Sequence, residues 1–407
     1  MANVSSSNGL EKCPKLRFPG FEGAWSIYKA EELFKNVADK NHPAETVLTI
    51  IQGKGTLPRE QAGRNIHYDD ASLTNYKKVE QGDFIIHLRS FEGGLEMANE
   101  DGIVSPAYTI LRCKKPHSSF FYEAYFHTDE FINHILSKSV EGIRDGRQIS
   151  YEAFKRLGLP YCDVSEQEKI AQLFCTLGHR IEKQQQMVDA LKKYKRGVFE
   201  TVFSQKVRLI PQSKRKDWQK YKLSDFTTRI TRKNGGQSDI PLTISAQYGL
   251  IDQRDFFSKT VASADMSGYY LLRSGEYAYN RSTSNDYPFG SIKRLELYPM
   301  GAVSTLYLCF KVKDDIVLSD LAKWYFESSQ WHRGVNEICA EGARNHGLLN
   351  VPTDGFFNTV HTLPSDPEEQ FAIASYLSLF QARLDSTQAE LEKLIRIRNG
   401  LMQRLFI

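Results

Sequence analysis

The stretch SEQEKIAQLFCTLGHRIEKQQQMVDALKKYKRGVFETVF, residues 165–203, has a second copy in DPEEQFAIASYLSLFQARLDSTQAELEKLIRIRNGLMQRLF, residues 366–406. Adding 203 to a position in the first copy gives its counterpart in the second, so that Glu166-Gln167 falls on Glu369-Gln370. The copies align without a gap over this length. This alignment indicates an internal duplication rather than a shared composition.

Apolar residues recur in both copies at nearly a heptad spacing, which predicts one long helix in each. A helix of about 38 residues at about 1.5 Å per residue is on the order of 57 Å long. Because the sequence supplies no core around so long a helix, we expect the two apolar stripes to bury each other as a coiled coil. The alternative is two surface helices, each packed on its own domain. The predicted coiled-coil positions are Ile170, Leu173, Leu177, Leu191 and Val198 in the first copy and Ile373, Phe380, Leu394 and Leu401 in the second, and the same register places Arg180, Met187 and Tyr194 at d positions.

The 407 residues exceed a single domain of ordinary size and suit two or three. The 53 basic residues nearly cancel the 49 acidic ones, which permits nucleic-acid binding without demonstrating it. The six cysteines form no Cys-x-x-Cys pair, which predicts a reduced, cytoplasmic protein without zinc sites. No run of about 18 apolar residues occurs, so we expect neither a membrane span nor a signal peptide.

The segments that precede the two long helices also match each other. Trp25 returns as Trp218 and Gly82-Asp83 as Gly275-Glu276 at an offset of 193, whereas Tyr108 returns as Tyr307 at 199. The offset drifts only in this part, so insertions gather in the loops between predicted strands. A short helix is expected in the segment that contains Trp25. The predicted layout is a flexible lead-in over residues 1–20, a β-rich domain over 21–150, a long helix over 160–205, a second β-rich domain over 211–362 and a second long helix over 363–407.

The linear motifs of several enzyme classes are absent from the sequence. It contains no His-Glu-x-x-His, no Gly-x-Gly-x-x-Gly after a strand, no Gly-x-x-x-x-Gly-Lys-Ser/Thr and no Asn-Pro-Pro-Tyr signature. Gly53-Lys54-Gly55 is too short for a phosphate loop and is interpreted as a turn. The sequence therefore gives no support to catalysis by this chain alone, and no metal ligands are predicted.

Both β-rich domains carry Arg, Lys, Asn and Gln in turn-like stretches. Arg, Asn and Gln suit the base edges of the DNA major groove, and Lys and Arg also neutralise phosphates. For any one such residue, an ordinary solvated surface position is the competing interpretation. Arg144 and Arg344 each follow Glu-Gly before a long helix, where bracing the junction competes equally with DNA contact. The candidate DNA-binding residues are Lys54, Arg59, Arg64, Arg89 and Arg144 in the first domain and Lys233, Gln247, Arg254, Asn280, Arg281 and Arg344 in the second.

Over nearly its whole length after residue 20, the chain resembles the specificity (S) subunits of type I restriction–modification systems. The resemblance rests on paired motifs at the head of each domain and of each helix. These motifs are Trp25…Glu32-Leu33, Trp218…Lys222-Leu223-Ser224-Asp225-Phe226, Leu159-Pro160…Glu166-Gln167-x-x-Ile170-Ala171 and Leu363-Pro364…Glu369-Gln370-x-x-Ile373-Ala374.

The resemblance implies an α+β fold in which two target-recognition domains alternate with two long helices that pair as an antiparallel coiled coil. Each domain would read one half of a split double-stranded DNA target, and the helices would set the gap between the halves. Two methyltransferase subunits and the restriction (motor and nuclease) subunits would be the partners. The chain itself would hold no cofactor, because S-adenosylmethionine, ATP and Mg²⁺ would act in the partner subunits.

Two other function classes stay open from the sequence. One is a coiled-coil scaffold that bridges two protein-binding domains and does not bind DNA. The other is an enzyme whose site in a β-rich domain has no linear signature. DNA binding through Lys and Arg weakens steeply as salt rises, whereas a mostly apolar protein interface does not, so salt dependence separates the first two classes.

Overall fold

The computed structural model describes residues 11–62, 70–141, 148–245, 248–256, 265–284, 287–339 and 349–406. The chain divides into two compact units. The first unit is Met1–Gln186 with Ala389–Ile407, and the second unit is Met187–Gln388. Each unit therefore combines one globular domain with one part of each long helix. We name the globular part of the first unit domain 1 (residues 11–163) and that of the second unit domain 2 (residues 204–366).

Domain 1 is built from short strands and helices and leads into the long helix α5, Val164–Phe203. Its strands are β1 (Glu11–Lys12), β2 (Trp25–Lys29), β3 (Phe34–Val37), β4 (Leu48–Ile51), β5 (Gly55–Pro58), β6 (Lys77–Val79), β7 (Phe84–Ile86), β8 (Glu96–Met97), β9 (Gly102–Val104), β10 (Thr109–Cys113), β11 (Val140–Glu141), β12 (Gln148–Ile149) and β13 (Gly158–Tyr161). Its helices are α1 (Ala30–Leu33), α2 (Ser90–Gly93), α3 (Ser119–Phe126) and α4 (Tyr151–Phe154), with 3₁₀ turns at Arg59–Ala62, Asp70–Asn75 and Leu136–Ser139 and a π-helical turn at Glu130–Ile135.

Domain 2 repeats this order and leads into the second long helix, α11, Pro367–Leu405. Its strands are β14 (Gln219–Lys222), β15 (Thr227–Ile230), β16 (Leu242–Ser245), β17 (Gly249–Asp252), β18 (Tyr270–Arg273), β19 (Tyr277–Asn280), β20 (Ser291–Arg294), β21 (Met300–Val303), β22 (Leu308–Val312) and β23 (Val360–Leu363). Its helices are α6 (Leu223–Phe226), α7 (Gln253–Phe256), α8 (Ser319–Glu327), α9 (His332–Ile338) and α10 (Thr353–Phe357), with a 3₁₀ turn at Gln212–Lys214.

The two domains share one strand topology. A four-stranded antiparallel sheet has the order β3-β10-β7-β8 in domain 1 and β15-β22-β19-β20 in domain 2. Even the register is repeated, because Ile110 pairs with Ile85 as Cys309 pairs with Ala278. The pairs β4–β5, β6–β9 and β2–β13 likewise match β16–β17, β18–β21 and β14–β23. The α+β fold class and the tandem duplication predicted from the sequence are thus confirmed.

The segment around Trp25 differs from the short helix expected there. Trp25–Lys29 forms β2, which pairs antiparallel with β13, and only Ala30–Leu33 is helical. The strand forms because Ser26 to Lys29 find backbone partners in Tyr161 to Gly158. A pairing between residues more than a hundred positions apart leaves no trace in local periodicity, so the helix prediction was wrong for residues 25–29.

In the first unit, α5 and α11 run antiparallel. Near the start of α5, the rings of Phe174 and Phe406 stack with centroids 5.6 Å apart. Further along α5, Arg180 and Gln184 both reach Glu390, at 3.3 Å and 3.4 Å. Residue numbers rise along one helix as they fall along the other, which defines the direction of the pair.

The second unit contains an antiparallel pair formed by the other parts of the same two helices. The rings of Tyr194 and Phe380 lie 5.6 Å apart, and the Lys195 ammonium donates to Gln381 Oε1 at 2.6 Å. Val198 and Ile373 then join one buried cluster. The antiparallel arrangement implied by the family resemblance is therefore present in each unit.

The buried apolar stripe of α5 pairs the predicted a positions with residues four positions later, and not with the predicted d positions. Phe174, Val188 and Val202 are buried, each four residues after a predicted a position, whereas the predicted d residues Met187 and Tyr194 are exposed. A helix with 3.6 residues per turn brings both i+3 and i+4 near the a position, and the apolar side chains at i+4 decide between them. All nine predicted coiled-coil residues are buried or half-buried, with Ile170 and Ile373 the most buried at 1% exposure.

The core of each domain extends onto the end of a long helix. Phe406 follows α11 and packs its ring against Phe121 and Tyr125 of α3, at 5.3 Å and 5.7 Å. Phe203 ends α5 and packs against Tyr325 of α8 at 5.5 Å. Each domain thus packs against the end of the long helix that follows the other domain in the chain.

Among the described residues, no helix combines the length and the apolar character that a membrane crossing requires.

Candidate nucleic-acid interface

A buried carboxylate at the start of α5 connects the helix to domain 1. Glu166 is 1% exposed and lies in the first helical turn, where a negative charge is favoured. The Arg17 guanidinium donates to both of its oxygens, at 2.8 Å and 2.7 Å, and Trp25 Nε1 donates at 3.1 Å. Three directed bonds from two separate segments of domain 1 therefore fix where that domain meets the helix.

The second unit builds the same connection at the start of α11. Glu369 is fully buried and accepts from the Arg208 guanidinium through both oxygens, the Nη2 bond measuring 2.6 Å. Trp218 Nε1 donates to Glu369 at 3.1 Å. In both units the carboxylate raises the pKa of its arginine partner through the hydrogen-bonded pair. The repeat thus preserves a buried Arg–Glu–Trp cluster, which we call the anchor.

The glutamine next to each anchor carboxylate makes a second repeated connection. Gln167 Oε1 accepts from Ser118 N at 3.0 Å while its amide donates to Cys162 O at 2.9 Å. Gln370 does the same with Leu318 N at 2.7 Å and Pro364 O at 2.9 Å. The Glu-Gln pair, visible in the sequence only as a repeated motif, therefore positions a domain on its helix.

Arg17 and Arg208 were missed by the sequence reasoning. Residues 1–20 were expected to be a flexible lead-in, yet Arg17 closes the first anchor and the Leu16 amide donates to the Arg404 carbonyl at 2.9 Å. The available signal was one arginine eight residues before Trp25 and another ten residues before Trp218. That signal is weak because arginine is frequent in this chain.

Three of the predicted DNA-binding residues lie in the described part of domain 1. Lys54 occupies the turn between β4 and β5, and Arg89 precedes α2; both are exposed. The Gln52 side chain lies against Gly93 of α2, so the β4–β5 turn and α2 are neighbours. Arg59 lies at the far end of the same hairpin, with its guanidinium 6.0 Å from the Tyr76 ring centroid. The fold therefore brings Lys54 and Arg89 onto neighbouring segments and separates Arg59 from the turn.

In domain 2 the predicted residues are largely engaged within the protein. Lys233 donates to Gly268 O at 2.9 Å, and Arg254 pairs with Asp252 at 2.6 Å. Arg281 donates to the carbonyls of Val351 and Leu306. The Asn280 side-chain oxygen accepts from Ser282 N at 3.0 Å. These contacts fix loop conformations, so a direct contact with DNA would use the donors and acceptors that they leave over.

The other four predicted residues, Arg64, Arg144, Gln247 and Arg344, lie outside the described residues. Their placement in a DNA interface stays a prediction. Within the described part of the chain, no group of three or more His, Cys, Asp or Glu side chains is arranged to hold a metal ion.

Sequence reasoning also missed a buried carboxylate under the β4–β5 turn. Glu96 of β8 is fully buried and accepts from Gly53 N at 2.7 Å, from Gly55 N at 2.9 Å and from His127 Nε2 at 3.2 Å. Burial alone would raise the pKa of Glu96, but the bonds from His127 and the two backbone amides outweigh burial and lower it. Glu96 is therefore a charged clamp on the turn that carries Lys54.

His127 is held as a double donor. Its Nε2 faces Glu96, and its Nδ1 lies 2.8 Å from the Glu123 carbonyl oxygen, which can only accept. Burial opposes the charged ring, but the hydrogen bond and charge of Glu96 prevail, so the pKa of His127 is raised above its ordinary value. An imidazolium satisfies both acceptors and balances the buried carboxylate.

Domain 2 has a pair of reversed charge at the same place. Lys293 of β20 lies opposite Ala278 as Glu96 lies opposite Ile85, and its ammonium is 2.5 Å from the carboxylate of Glu327 at the end of α8. The two domains thus share their anchors but differ in the charged pair next to the four-stranded sheet.

The geometry defines a class of protein. Its members are internally duplicated chains in which each of two β-rich domains is anchored to the start of one long helix and packs against the end of the other. No protein-family model matches the sequence, and no curated protein matches it by sequence.

Solved structures share this fold. The S subunit of a type I restriction–modification system from M. genitalium superposes with a TM-score of 0.58 at 12% identity, over 97% of this chain and 99% of that chain. A chain from a study of complex assembly and conformational transition in the type I R-M system gives 0.52 at 14% identity, over 97% and 99%. The HsdS subunit from Thermoanaerobacter tengcongensis gives 0.49 at 15% identity, over 96% and 97%. The chain has the fold of a type I restriction–modification specificity subunit.

Proposed function

We propose that this chain is the DNA sequence-recognition subunit of a type I restriction–modification complex. The observation that carries the proposal is the full-length match in fold to an S subunit, over 97% of this chain and 99% of the other. The duplicated anchors support it, because they hold two differing domains by one common device. A chain that repeats its frame and varies its loops suits the reading of two different half-sites.

In this proposal each domain reads one half of a bipartite double-stranded DNA target, and the long helices set the gap. Two methyltransferase subunits and the restriction subunits perform the chemistry, with S-adenosylmethionine, ATP and Mg²⁺ bound in those partners. The chain is non-catalytic in itself, and the complex works in the cytoplasm. One structural neighbour comes from a study of complex assembly in the type I R-M system, which supports the assignment of partner subunits.

The experiment that tests the proposal is single-molecule sequencing of modified bases in host DNA with the gene intact and deleted. We expect a bipartite motif with a fixed internal gap to lose methylation on deletion. Identical methylation in both strains, with the partner genes expressed, would contradict the proposal and favour the scaffold alternative. A domain exchange sharpens the test: replacing residues 21–150 with those of a related chain is expected to change one half-site only.

Salt dependence gives an independent test of the scaffold alternative. If Lys and Arg contact about six phosphates, affinity for duplex DNA should fall by roughly 10³-fold between about 50 mM and 200 mM salt. A complex held by apolar protein contacts would change little over that range. The assembled complex, not the isolated chain, should be used for the titration.

A further inference from the structure

The shape of the β4–β5 turn of domain 1 is determined by its two glycines and by the residues beneath it. Gly53 and Gly55 both have positive φ, at 74° and 76°, a region that glycine enters without strain. A Cβ at Gly55 would lie 2.5 Å from the Met97 carbonyl oxygen, so this position also lacks room for a side chain. The turn therefore depends on the sequence Gly53-Lys54-Gly55 for its shape.

The backbone polar groups of the turn are taken up by domain 1 itself. Glu96 accepts the amides of Gly53 and Gly55, and Asn99 Nδ2 donates to the carbonyl oxygen of Lys54 at 2.7 Å. The same Asn99 amide reaches Thr56 O at 2.9 Å. Both glycine amides and the Lys54 carbonyl oxygen are thus bonded inside the protein, so recognition of a ligand would fall to the exposed side chains of the turn.

The exposed side chains of the turn have the chemistry for reading base edges. Gln52 and Lys54 are both exposed, and Lys54 makes no ion pair with any residue that the structure describes. A Gln amide matches the N6 and N7 edge of adenine, and a Lys ammonium matches guanine or a phosphate. Arg89, on the neighbouring segment, adds a second exposed positive charge.

The Gln52 side chain is also held in place by its neighbour. Its amide lies so close to Gly93 of α2 that a Cβ there would come within 1.8 Å of Gln52 Nε2. The absence of a side chain at Gly93 therefore leaves room for the Gln52 amide against α2. Direct readout needs such pre-organised side chains, because every rotamer that must be ordered on binding lowers the affinity.

We propose that the Gln52–Lys54 turn of domain 1 reads base edges in its half-site and that Glu96 is the positioning residue that holds this turn for reading. The inference rests on the proposed function, since it assumes that domain 1 binds DNA. It assigns the reading to one turn and gives a role to a buried carboxylate that lies beneath that turn. In domain 2 the counterpart of Glu96 is Lys293, paired with Glu327, so the two domains differ in the charged pair at this strand position.

The test introduces three variants at the chromosomal gene and sequences the modified bases of host DNA. The first, Gln52→Ala with Lys54→Ala, removes only exposed side chains. The second, Glu96→Gln, keeps the shape of the clamp but replaces one acceptor oxygen by a donor that faces the turn amides. The third, Glu152→Gln, removes an exposed carboxylate elsewhere in domain 1 and serves as the matched control.

We expect the turn variant to relax one half-site at one or two base positions, with a loss of discrimination of about 5- to 150-fold, the range of a bidentate base contact. Glu96→Gln should relax the same positions, while the other half-site and the gap stay as in the wild type. A merely structural role would lower methylation evenly over both half-sites. The Glu152→Gln control should keep the wild-type motif.

The outcomes separate this inference from the proposed function. A wild-type strain without a bipartite motif would overturn the proposed function itself. A wild-type motif that the turn variant leaves intact would overturn only the reading role of the turn. If the turn variant relaxes the half-site and Glu96→Gln does not, the positioning role of Glu96 is overturned. If Glu96→Gln abolishes methylation evenly while the turn variant has no effect, Glu96 supports the fold alone and the inference fails.

Discussion

Domain 1 and domain 2 agree where they meet the long helices and differ in the charged pair beside the four-stranded sheet. Both use an arginine, a tryptophan and the first-turn carboxylate Glu166 or Glu369 as an anchor. Next to the four-stranded sheet, however, domain 1 pairs Glu96 with His127. The corresponding pair in domain 2 is formed by Lys293 and Glu327. The difference indicates that duplication kept the junctions of domain and helix fixed while the charges beside the sheet changed.

The largest expected effect concerns the shared anchors. Glu166→Ala and Glu369→Ala each leave a mostly buried arginine and an indole N–H without their acceptor. We expect each variant to lower the free energy of unfolding by about 3–5 kcal/mol, and by similar amounts in the two units. Denaturant unfolding of the full chain, followed by hydrogen exchange in each unit, measures this. Glu168→Ala removes an exposed carboxylate on the same helix and is the control.

Equal losses in the two anchor variants would support the comparison at the helix starts. A loss in one unit that is no larger than that of the Glu168→Ala control would contradict the comparison. The repeated geometry would then not contribute a common amount to the free energy of unfolding.

These anchors also show how far the sequence leads. The gapless repeat predicted two long helices, and the motif Glu-Gln marked their starts, because helix periodicity and duplication are written in neighbouring residues. Arg17 and Glu96 could not be found in this way. Their partners Glu166 and Gly53 lie 149 and 43 positions away, and only the folded chain brings them together. The four candidates in undescribed segments stay predictions.

The next effect is an acid sensitivity of domain 2 that arises at His361. His361 is buried, and its two ring nitrogens form hydrogen bonds with Tyr325 Oη at 3.0 Å and with Thr359 Oγ1 at 2.8 Å. Burial lowers the pKa of His361 from 6.5 to about 4. Its stability contribution is present above pH 6.5 and is lost as the pH falls through about 4, because the unfolded chain binds the proton first. The loss approaches about 3 kcal/mol.

The measurement is hydrogen exchange in domain 2 between pH 7 and pH 4, compared with His361→Gln. Domain 1 has Leu159 in the matching strand position, because Leu159 pairs with Tyr28 as His361 pairs with Tyr221. An equal acid slope in the wild type and in His361→Gln would contradict the assignment.

A smaller effect separates two matched tyrosines. Tyr325 Oη bonds His361, whereas the buried Tyr125 Oη of domain 1 has no hydrogen-bond partner among the described residues. Tyr325→Phe should therefore lower the free energy of unfolding by about 1–2 kcal/mol, and Tyr125→Phe should leave it unchanged or raise it slightly. Thermal unfolding of both variants checks the sign. Equal losses in the two variants would show that the hydroxyls are equivalent and would break this part of the comparison.

The Glu96–His127 pair gives domain 1 a pH response of opposite sign. Burial opposes the charged ring, but the hydrogen bond that His127 donates to Glu96 prevails, and the pKa of His127 is raised. Its contribution is fully present below the ordinary value of 6.5 and is lost as the pH rises through the higher folded value. We expect hydrogen exchange near the β4–β5 turn to quicken more than the chemical rate does as the pH rises through that folded value. His127→Gln should abolish that excess, and an unchanged excess would contradict the role of the pair.

The smallest expected effect lies on the helices themselves. In the first unit the Arg180–Glu390 pair is 65% and 51% exposed, so solvent and salt screen it. A double-mutant cycle with Arg180→Ala and Glu390→Ala should give a coupling of about 0.5 kcal/mol or less. In the second unit the Lys195 ammonium donates to Gln381 and lies 5.7 Å from the Trp324 ring centroid. Lys195 is half-buried, and burial lowers its pKa. Because solvent screens its bond less, a double-mutant cycle with Lys195→Ala and Gln381→Ala should give a coupling of about 1 kcal/mol.

The two cycles decide whether the helix pairing is held by these polar contacts or by the buried stripe. Couplings of this size are small beside the packing of residues such as Ile170 and Ile373, each 1% exposed. A coupling above about 2 kcal/mol for Arg180 and Glu390 would exceed the range of exposed pairs and would assign pairing in the first unit to that bridge. With the expected values, apolar packing sets the pairing in both units, and the polar contacts are free to differ between them, as the charged pairs beside the two sheets do.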